Sequence, residues 1–268
     1  MSDLVTFNSV SGFDCIEYIL DENSKTVAIY GDSYGREGYC YYNDPEARNA
    51  WCFNDVITER YNVVNFAKHG SNFMYSYQCF LETNSKYDRT VFVVTEPHRH
   101  KVKIRGKYYF LPSASVTDYP NIWKQWIYDV TRDDGSASEE FLYKLADSLA
   151  VHSVYTMEDM LYSAGVHCLV ESLPNKRSDI IVVYGFKNIF TSPDVLSLFE
   201  VTKMEENALD IKGGTHDEIR HAHMTNENNL VFAKHIRRLL DEQRSDITLN
   251  DFVRPDPKDK EKYFIKKV

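Results

Sequence analysis

Short apolar runs punctuate the chain: Val27-Ala28-Ile29-Tyr30, Val63-Val64 within residues 61–67, Val91-Phe92-Val93-Val94, and Ile180-Ile181-Val182-Val183-Tyr184. Each is bounded by polar residues or glycine and rich in strand-favouring side chains, which predicts strands buried on both faces of a parallel sheet. Helical patterns lie between and after them. Residues 45–60 form one, with Asp44 as cap, Pro45 in the first turn and Trp51, Val56 and Ile57 on the apolar face. Others are expected over residues 73–81, from 136 to about 165, and starting within 193–199. A closing helix is expected over 226–242, capped by Thr225, with Leu230, Ala233, Ile236 and Leu240 as its inward stripe. Residues 1–24 predict a leader strand or helix; Phe13, Ile16 and Ile19 have helical spacing. Residues 101–136, basic and then aromatic, break the rhythm and read as an insertion beside a cleft. Strands alternating with helices at this spacing predict right-handed crossovers around a parallel sheet. The expected organisation is one α/β domain over residues 1–250 and a charged tail over 251–268.

Composition narrows the function classes. The 268 residues carry 31 basic and 40 acidic side chains, a formal charge of −9, which argues against a duplex nucleic-acid binder. No apolar run reaches membrane-spanning length, and Met1 to Phe7 lacks the basic and apolar regions of a signal peptide. Five scattered cysteines (Cys15, Cys40, Cys52, Cys79, Cys168) without Cys-x-x-Cys spacing predict reduced thiols and a cytoplasmic setting.

The candidate chemistry sits where the strands end. The first strand runs into Gly31-Asp32-Ser33, the second into Lys68-His69-Gly70-Ser71-Asn72, and the third into Glu96-Pro97-His98-Arg99-His100. A later polar loop adds His216, Asp217, Glu218, His221 and His223. Open α/β sheets bind ligands at the carboxyl ends of their strands, so these segments are expected to meet in one crevice. Gly31-Asp32-Ser33-Tyr34-Gly35 has neither the Lys-Ser/Thr pair of a P-loop nor the three-glycine spacing of a dinucleotide site.

With these blocks in view, the chain resembles the SGNH (GDSL-type) hydrolases, and in particular their divergent members in tailed bacteriophages. The Gly31-Asp32-Ser33 block, the Asn65…Gly70-Ser71-Asn72 block and the His223 block together span most of residues 25–245. The resemblance implies a three-layer, flavodoxin-like α/β sandwich and an esterase acting on a small acyl ester, such as an acetyl group on a carbohydrate. It requires no metal or organic cofactor; a phage origin would further imply association with the virion. Ser33 would be the nucleophile and His223 the general base, with the backbone N–H groups of Ser33 and Gly70 in the oxyanion hole. His223 is preferred to His221 because Thr225, Asn228 and Ala233 then fall at the family's offsets.

Two positions depart from the family. Arg220 stands where the acid three residues before the His is usual, leaving Asp217 or Glu218 to orient the imidazole, or a dyad. No Asn follows the third strand, so Asn72, His98 or Arg99 would have to supply the missing oxyanion donor. Asp32 and Glu96 complete the polar set expected at the site, with Glu96 pointing away from the oxyanion. Two rival readings remain open. A metal-dependent hydrolase could use the His-x-His pairs His98/His100 and His221/His223, a reading that EDTA would separate. A non-catalytic carbohydrate- or protein-binding module would use the aromatic insertion around Tyr108, Tyr109, Phe110, Trp123 and Trp126. No sequence feature fixes the oligomeric state.

Overall fold

The computed structural model describes residues 5–32, 34–35, 57–68, 71–95, 100–104, 107–111, 157–176, 179–188, 190–209, 224–242 and 247–258. Residues 45–56 of the helix expected over 45–60, 136–156 of that expected from 136 to about 165, 112–136 of the insertion expected over 101–136, 213–223 of the polar loop and 259–268 of the tail expected over 251–268 lie outside these residues.

The chain begins with two strands, β1 (Val5–Val10) and β2 (Phe13–Tyr18), paired antiparallel with Val10 opposite Phe13. The two residues between them, Ser11 and Gly12, have φ of 53° and 82°. That is the left-handed backbone of a tight hairpin turn whose twist matches the strands. The helical spacing of Phe13, Ile16 and Ile19 is therefore overridden by the Ser-Gly turn, and the leader is a strand pair.

β3 (Thr26–Tyr30), β4 (Asn62–Asn65), β5 (Arg89–Val94) and β8 (Ile180–Tyr184) are the four apolar runs. They pair parallel in the order β4-β3-β5-β8, and the β1–β2 hairpin extends the sheet antiparallel at the β4 edge. β6 (His100–Ile104) and β7 (Lys107–Leu111) form a separate antiparallel pair at the start of the expected insertion.

Alternate side chains of each central strand face opposite sides. Ala28, Tyr30, Val64, Phe92 and Val94 meet Phe73, Tyr77 and Phe80 of α1 (Phe73–Thr83), together with Val166, Val170 and Leu173 of α2 (Met157–Lys176). Val27, Ile29, Val63, Val91 and Val93 meet Leu198, Val201 and Met204 of α3 (Leu198–Ala208), and Phe232, Ala233, Ile236 and Leu240 of α4 (Asn226–Glu242). The protein is thus α/β, a mixed six-stranded sheet with helices packed against both faces.

α2 continues past Gly165, where the sequence pattern was expected to stop. A side chain at Gly165 would meet nothing within 4 Å, so the glycine is an exposed helix position, while Val166, Val170 and Leu173 bury the turns beyond it. After α4 the chain returns to the core: Phe252 is buried, and Asn228 holds the Val253 backbone from both sides (2.7 and 2.8 Å). Among the described residues no helix is long and apolar enough to cross a membrane.

Candidate functional site

The chain steps from β3 outward to β4 on one side and then across to β5 on the other. The carboxyl ends of β3 and β5 therefore flank a topological switch point, the general location of ligand crevices in open α/β sheets. Glycine lines it on both sides of β5. A Cβ on Gly31 would lie 2.7 Å from Val93 Cβ, and one on Gly185 would lie 2.9 Å from the Val94 carbonyl oxygen. Only the absence of a side chain lets these strand ends close on β5. Between them Thr95 is fully buried, and its Oγ1 has no hydrogen-bond partner among the described residues.

The first two sequence blocks are tied together at one atom. The Gly31 carbonyl oxygen accepts from the Lys68 N–H (3.0 Å), the Ser71 hydroxyl (3.0 Å) and the Ser76 hydroxyl (3.2 Å). On the Gly31 side, the next residues form a closed turn. The Gly35 N–H donates to the Asp32 carbonyl at 3.0 Å, the Tyr34 N–H donates to Asp32 Oδ1 at 3.1 Å, and Asn65 Nδ2 donates to the Gly35 carbonyl at 2.8 Å. On the Lys68 side, the Ser71 N–H returns to the Lys68 carbonyl at 3.0 Å. Ser33 and Gly70 themselves lie outside the described residues, but the segments that flank them share one hydrogen-bonded junction.

Asp32 is fully buried and its carboxylate is engaged in the turn, which gives it a structural task beside Ser33. Asn72 is the N-cap of α1: its Oδ1 accepts from the Tyr75 N–H at 2.9 Å. This leaves Nδ2 as the side chain's donor. Ser71 is fully buried and engaged with Gly31.

Met224 and Thr225, which follow the third block in the sequence, lie on the opposite face of the sheet from α1. Met224 and Tyr34 belong to the same buried apolar cluster. The Tyr34 hydroxyl lies 3.3 Å from Thr202 Oγ1 on α3. One turn further along α3, Glu205 is fully buried and receives the Thr225 N–H (2.9 and 3.0 Å), the Thr225 hydroxyl (2.6 Å) and Asn228 Nδ2 (2.6 Å). Thr225 caps α4 as expected, its Oγ1 accepting from the Asn228 N–H at 3.3 Å. A single helix, α3, therefore touches the residue after Ser33 and the residue two after His223.

Glu96, His98, Arg99, Asp217, Glu218, Arg220, His221 and His223 lie outside the described residues. Among the described residues no group of three or more His, Cys, Asp or Glu side chains is placed to hold a metal ion. The two buried thiols among the described residues are poor nucleophiles. Burial, then Glu17 and Asp14, pushes Cys15 up to about 11, and burial pushes Cys79 up to about 12, so both stay protonated at neutral pH.

Sequence reasoning passed over Glu205, Thr202 and Thr95. For the first two a signal existed. Leu198, Val201, Thr202 and Glu205 share the i, i+3, i+4, i+7 spacing of an inward helix face, and polar residues on such a face need internal partners. A scan of the chain against protein-family models and a search among curated proteins both return no match.

Proposed function

We propose that the protein is a serine hydrolase of a small acyl ester, on a flavodoxin-like three-layer scaffold of the SGNH type. Ser33 Oγ attacks the ester carbonyl while His223 takes its proton. The backbone N–H groups of Ser33 and Gly70 receive the oxyanion, and His223 returns the proton to the departing alcohol. Water, deprotonated by His223, then releases the acid from the acyl-enzyme and restores the serine. Asp217 is the proposed orienting acid. Asn72, with its Nδ2 uncommitted by capping, and Arg99 are the proposed further oxyanion donors; each such donor is worth roughly 3–4 kcal/mol in the transition state. An acetylated carbohydrate is the proposed substrate class, on the strength of the family resemblance, and no cofactor takes part.

The observation that supports this reading best is the junction at the Gly31 carbonyl. It brings the flanks of Ser33 and Gly70, which are 37 residues apart (70 − 33) in the sequence, onto one oxygen beside the switch point. The test is covalent labelling by a fluorophosphonate. The folded wild-type protein is expected to label once per chain. Ser33→Ala should abolish labelling, and His223→Ala should slow it by about 10⁴-fold or more. A folded wild-type protein that does not label would overturn the hydrolase reading in favour of the binding module.

A further inference from the structure

The two edges of the six-stranded sheet are finished differently. At the β8 edge, Tyr184 is bridged to Ser197, and the Phe199 N–H donates to the Gly185 carbonyl at 3.0 Å, so the chain entering α3 closes over the strand's end. At the other edge stands β1, and no described segment pairs with its outer side. Edge strands commonly carry a charge, a proline or a bulge that discourages further pairing. β1 carries none of these: it reads Val-Thr-Phe-Asn-Ser-Val, and its register with β2 runs unbroken from Val5 to Val10. Phe7, Asn8 and Ser9 are exposed, and Phe7, at 77%, is the most exposed large apolar side chain among the described residues.

The hairpin fixes which backbone groups face outward. Its two-residue turn makes Val10 and Phe13 a hydrogen-bonded pair, and bonded and non-bonded pairs alternate from there. Thr6, Asn8 and Val10 therefore bond to β2, while the N–H and carbonyl groups of Val5, Phe7 and Ser9 point away from it. Ser9 agrees with this, because its N–H donates to Asn8 Oδ1 at 2.8 Å. The outward groups are symmetric about Phe7. If a second copy is laid antiparallel with Phe7 opposite the partner's Phe7, Val5 falls opposite the partner's Ser9. Each Phe7 N–H then donates to the opposite Phe7 carbonyl, and each Val5 N–H to the opposite Ser9 carbonyl, with the Asn8 contact undisturbed. Opposite residues share a face of a sheet, so the two Phe7 rings meet and lose their exposure together.

Charge favours the same contact. Two copies at a formal charge of −9 repel each other, and β1, without a charged side chain, sets no like charges opposite one another.

We propose that β1 is a self-association edge: two copies of this chain pair antiparallel through Val5–Val10, about a two-fold axis at Phe7, and join their sheets into one. The proposal draws nothing from the serine-hydrolase reading. One strand pair is a small interface of the transient class, so the expected Kd is on the order of 10–100 µM.

The test is sedimentation equilibrium of the full chain across that concentration range, at low and at high salt. Wild type is expected to show a monomer–dimer equilibrium that salt strengthens by screening the repulsion. Phe7→Lys sets two ammonium groups opposite each other at the axis and should weaken the dimer about tenfold or more. Phe7→Pro removes the N–H that faces the partner and none that β2 uses, and should do the same. Both variants should keep the far-UV circular dichroism of wild type. Leu81→Lys makes a like change at an exposed position on α1 and should leave the equilibrium unmoved. Hydrogen exchange of β1 amides should slow as wild-type concentration rises, and should not in the Phe7 variants. A chain that stays monomeric throughout overturns the proposal and leaves this edge to a strand of another protein. A dimer that survives both Phe7 substitutions, or that Leu81→Lys breaks equally, places the interface elsewhere and overturns it too. So does growth beyond two copies, since one open edge per chain closes at a pair.

Discussion

The two faces of the sheet are built from different materials. On the α1/α2 face the core is aromatic. Tyr30 stacks on Phe66 with centroids 5.3 Å apart and meets Phe80 edge-on at 5.6 Å; Phe80 and Phe92 are perpendicular at 5.8 Å. Its buried polar contacts tie α1 to the β3 strand: the Tyr30 hydroxyl lies 2.7 Å from Thr83 Oγ1, and the Ser76 hydroxyl donates to the Gly31 carbonyl at 3.2 Å. On the α3/α4 face the strand residues are small and branched. The fixed points there are polar: Tyr34 on Thr202, and Glu205 on Thr225 and Asn228. Aromatic packing supplies stability without direction, whereas hydrogen bonds between elements specify which residue meets which. Both faces carry such bonds, but on the α3/α4 face they include a buried carboxylate, Glu205, bonded to the start of α4.

The sharpest way to break this comparison is to damage the aromatic face. Phe80 is fully buried between Tyr30 and Phe92, so Phe80→Ala should cost about 3–5 kcal/mol of stability. Urea denaturation checks the magnitude. If the faces divide their labour, the molecules that remain folded should label with fluorophosphonate at the wild-type rate. A labelling rate that falls further than the folded fraction would show that the aromatic core also sets the site.

Gly31→Ala should have a smaller cost in stability and a larger one in activity. The added methyl would lie 2.7 Å from Val93 Cβ and 3.2 Å from the Val93 carbonyl oxygen, and both belong to a central strand that cannot move freely. Overpacking of this kind costs about 1–3 kcal/mol. Because the Gly31 carbonyl is the shared acceptor for Lys68, Ser71 and Ser76, the shift should also separate the Ser33 and Gly70 segments. A melting temperature that falls while labelling persists at the wild-type rate would remove that junction from the argument for function.

Much of the architecture was legible because it rests on local signals. The four apolar runs became the four parallel strands, and Thr225 and Asn72 cap the helices that follow them. The leader was not legible in the same way. Phe13, Ile16 and Ile19 fit a helix by spacing, and the pairing of β2 with β4, from Tyr18 opposite Val63 to Ile16 opposite Asn65, decides for a strand. The strand-end segments were legible as an ordered set, but the hydrogen bonds that join their described parts were not. Nothing local to Glu205 announces Thr225, because a contact over twenty residues depends on how α3 and α4 cross. Asp32 shows another limit: its sequence position suggests chemistry and gives no sign of the hydrogen bond its carboxylate accepts from the Tyr34 N–H.

The smallest predicted effect tests whether α3 is held at its start as firmly as at Glu205. Ser197 and Glu200 form a reciprocal cap: the Ser197 N–H and hydroxyl donate to Glu200 Oε2 at 2.8 and 3.0 Å, and Ser197 Oγ accepts from the Glu200 N–H at 3.4 Å. Lys187 Nζ reaches the other carboxylate oxygen at 2.8 Å. Partial burial works to raise the Glu200 carboxyl, but the Lys187 and Ser197 hydrogen bonds prevail and hold it below its ordinary value. A group depressed in this way stabilises the fold above its unfolded pKa and loses that contribution as pH falls through the folded one. Ser197→Ala should therefore cost about 1 kcal/mol at neutral pH, and the gap to wild type should narrow in acid as Glu200 protonates in both proteins. Paired urea titrations at neutral pH and below the carboxylate range measure this directly. Since Ser197 lies eight residues, just over two turns, from Glu205, labelling by fluorophosphonate should change by less than twofold; a larger drop would show that the start of α3 bears on the proposed site.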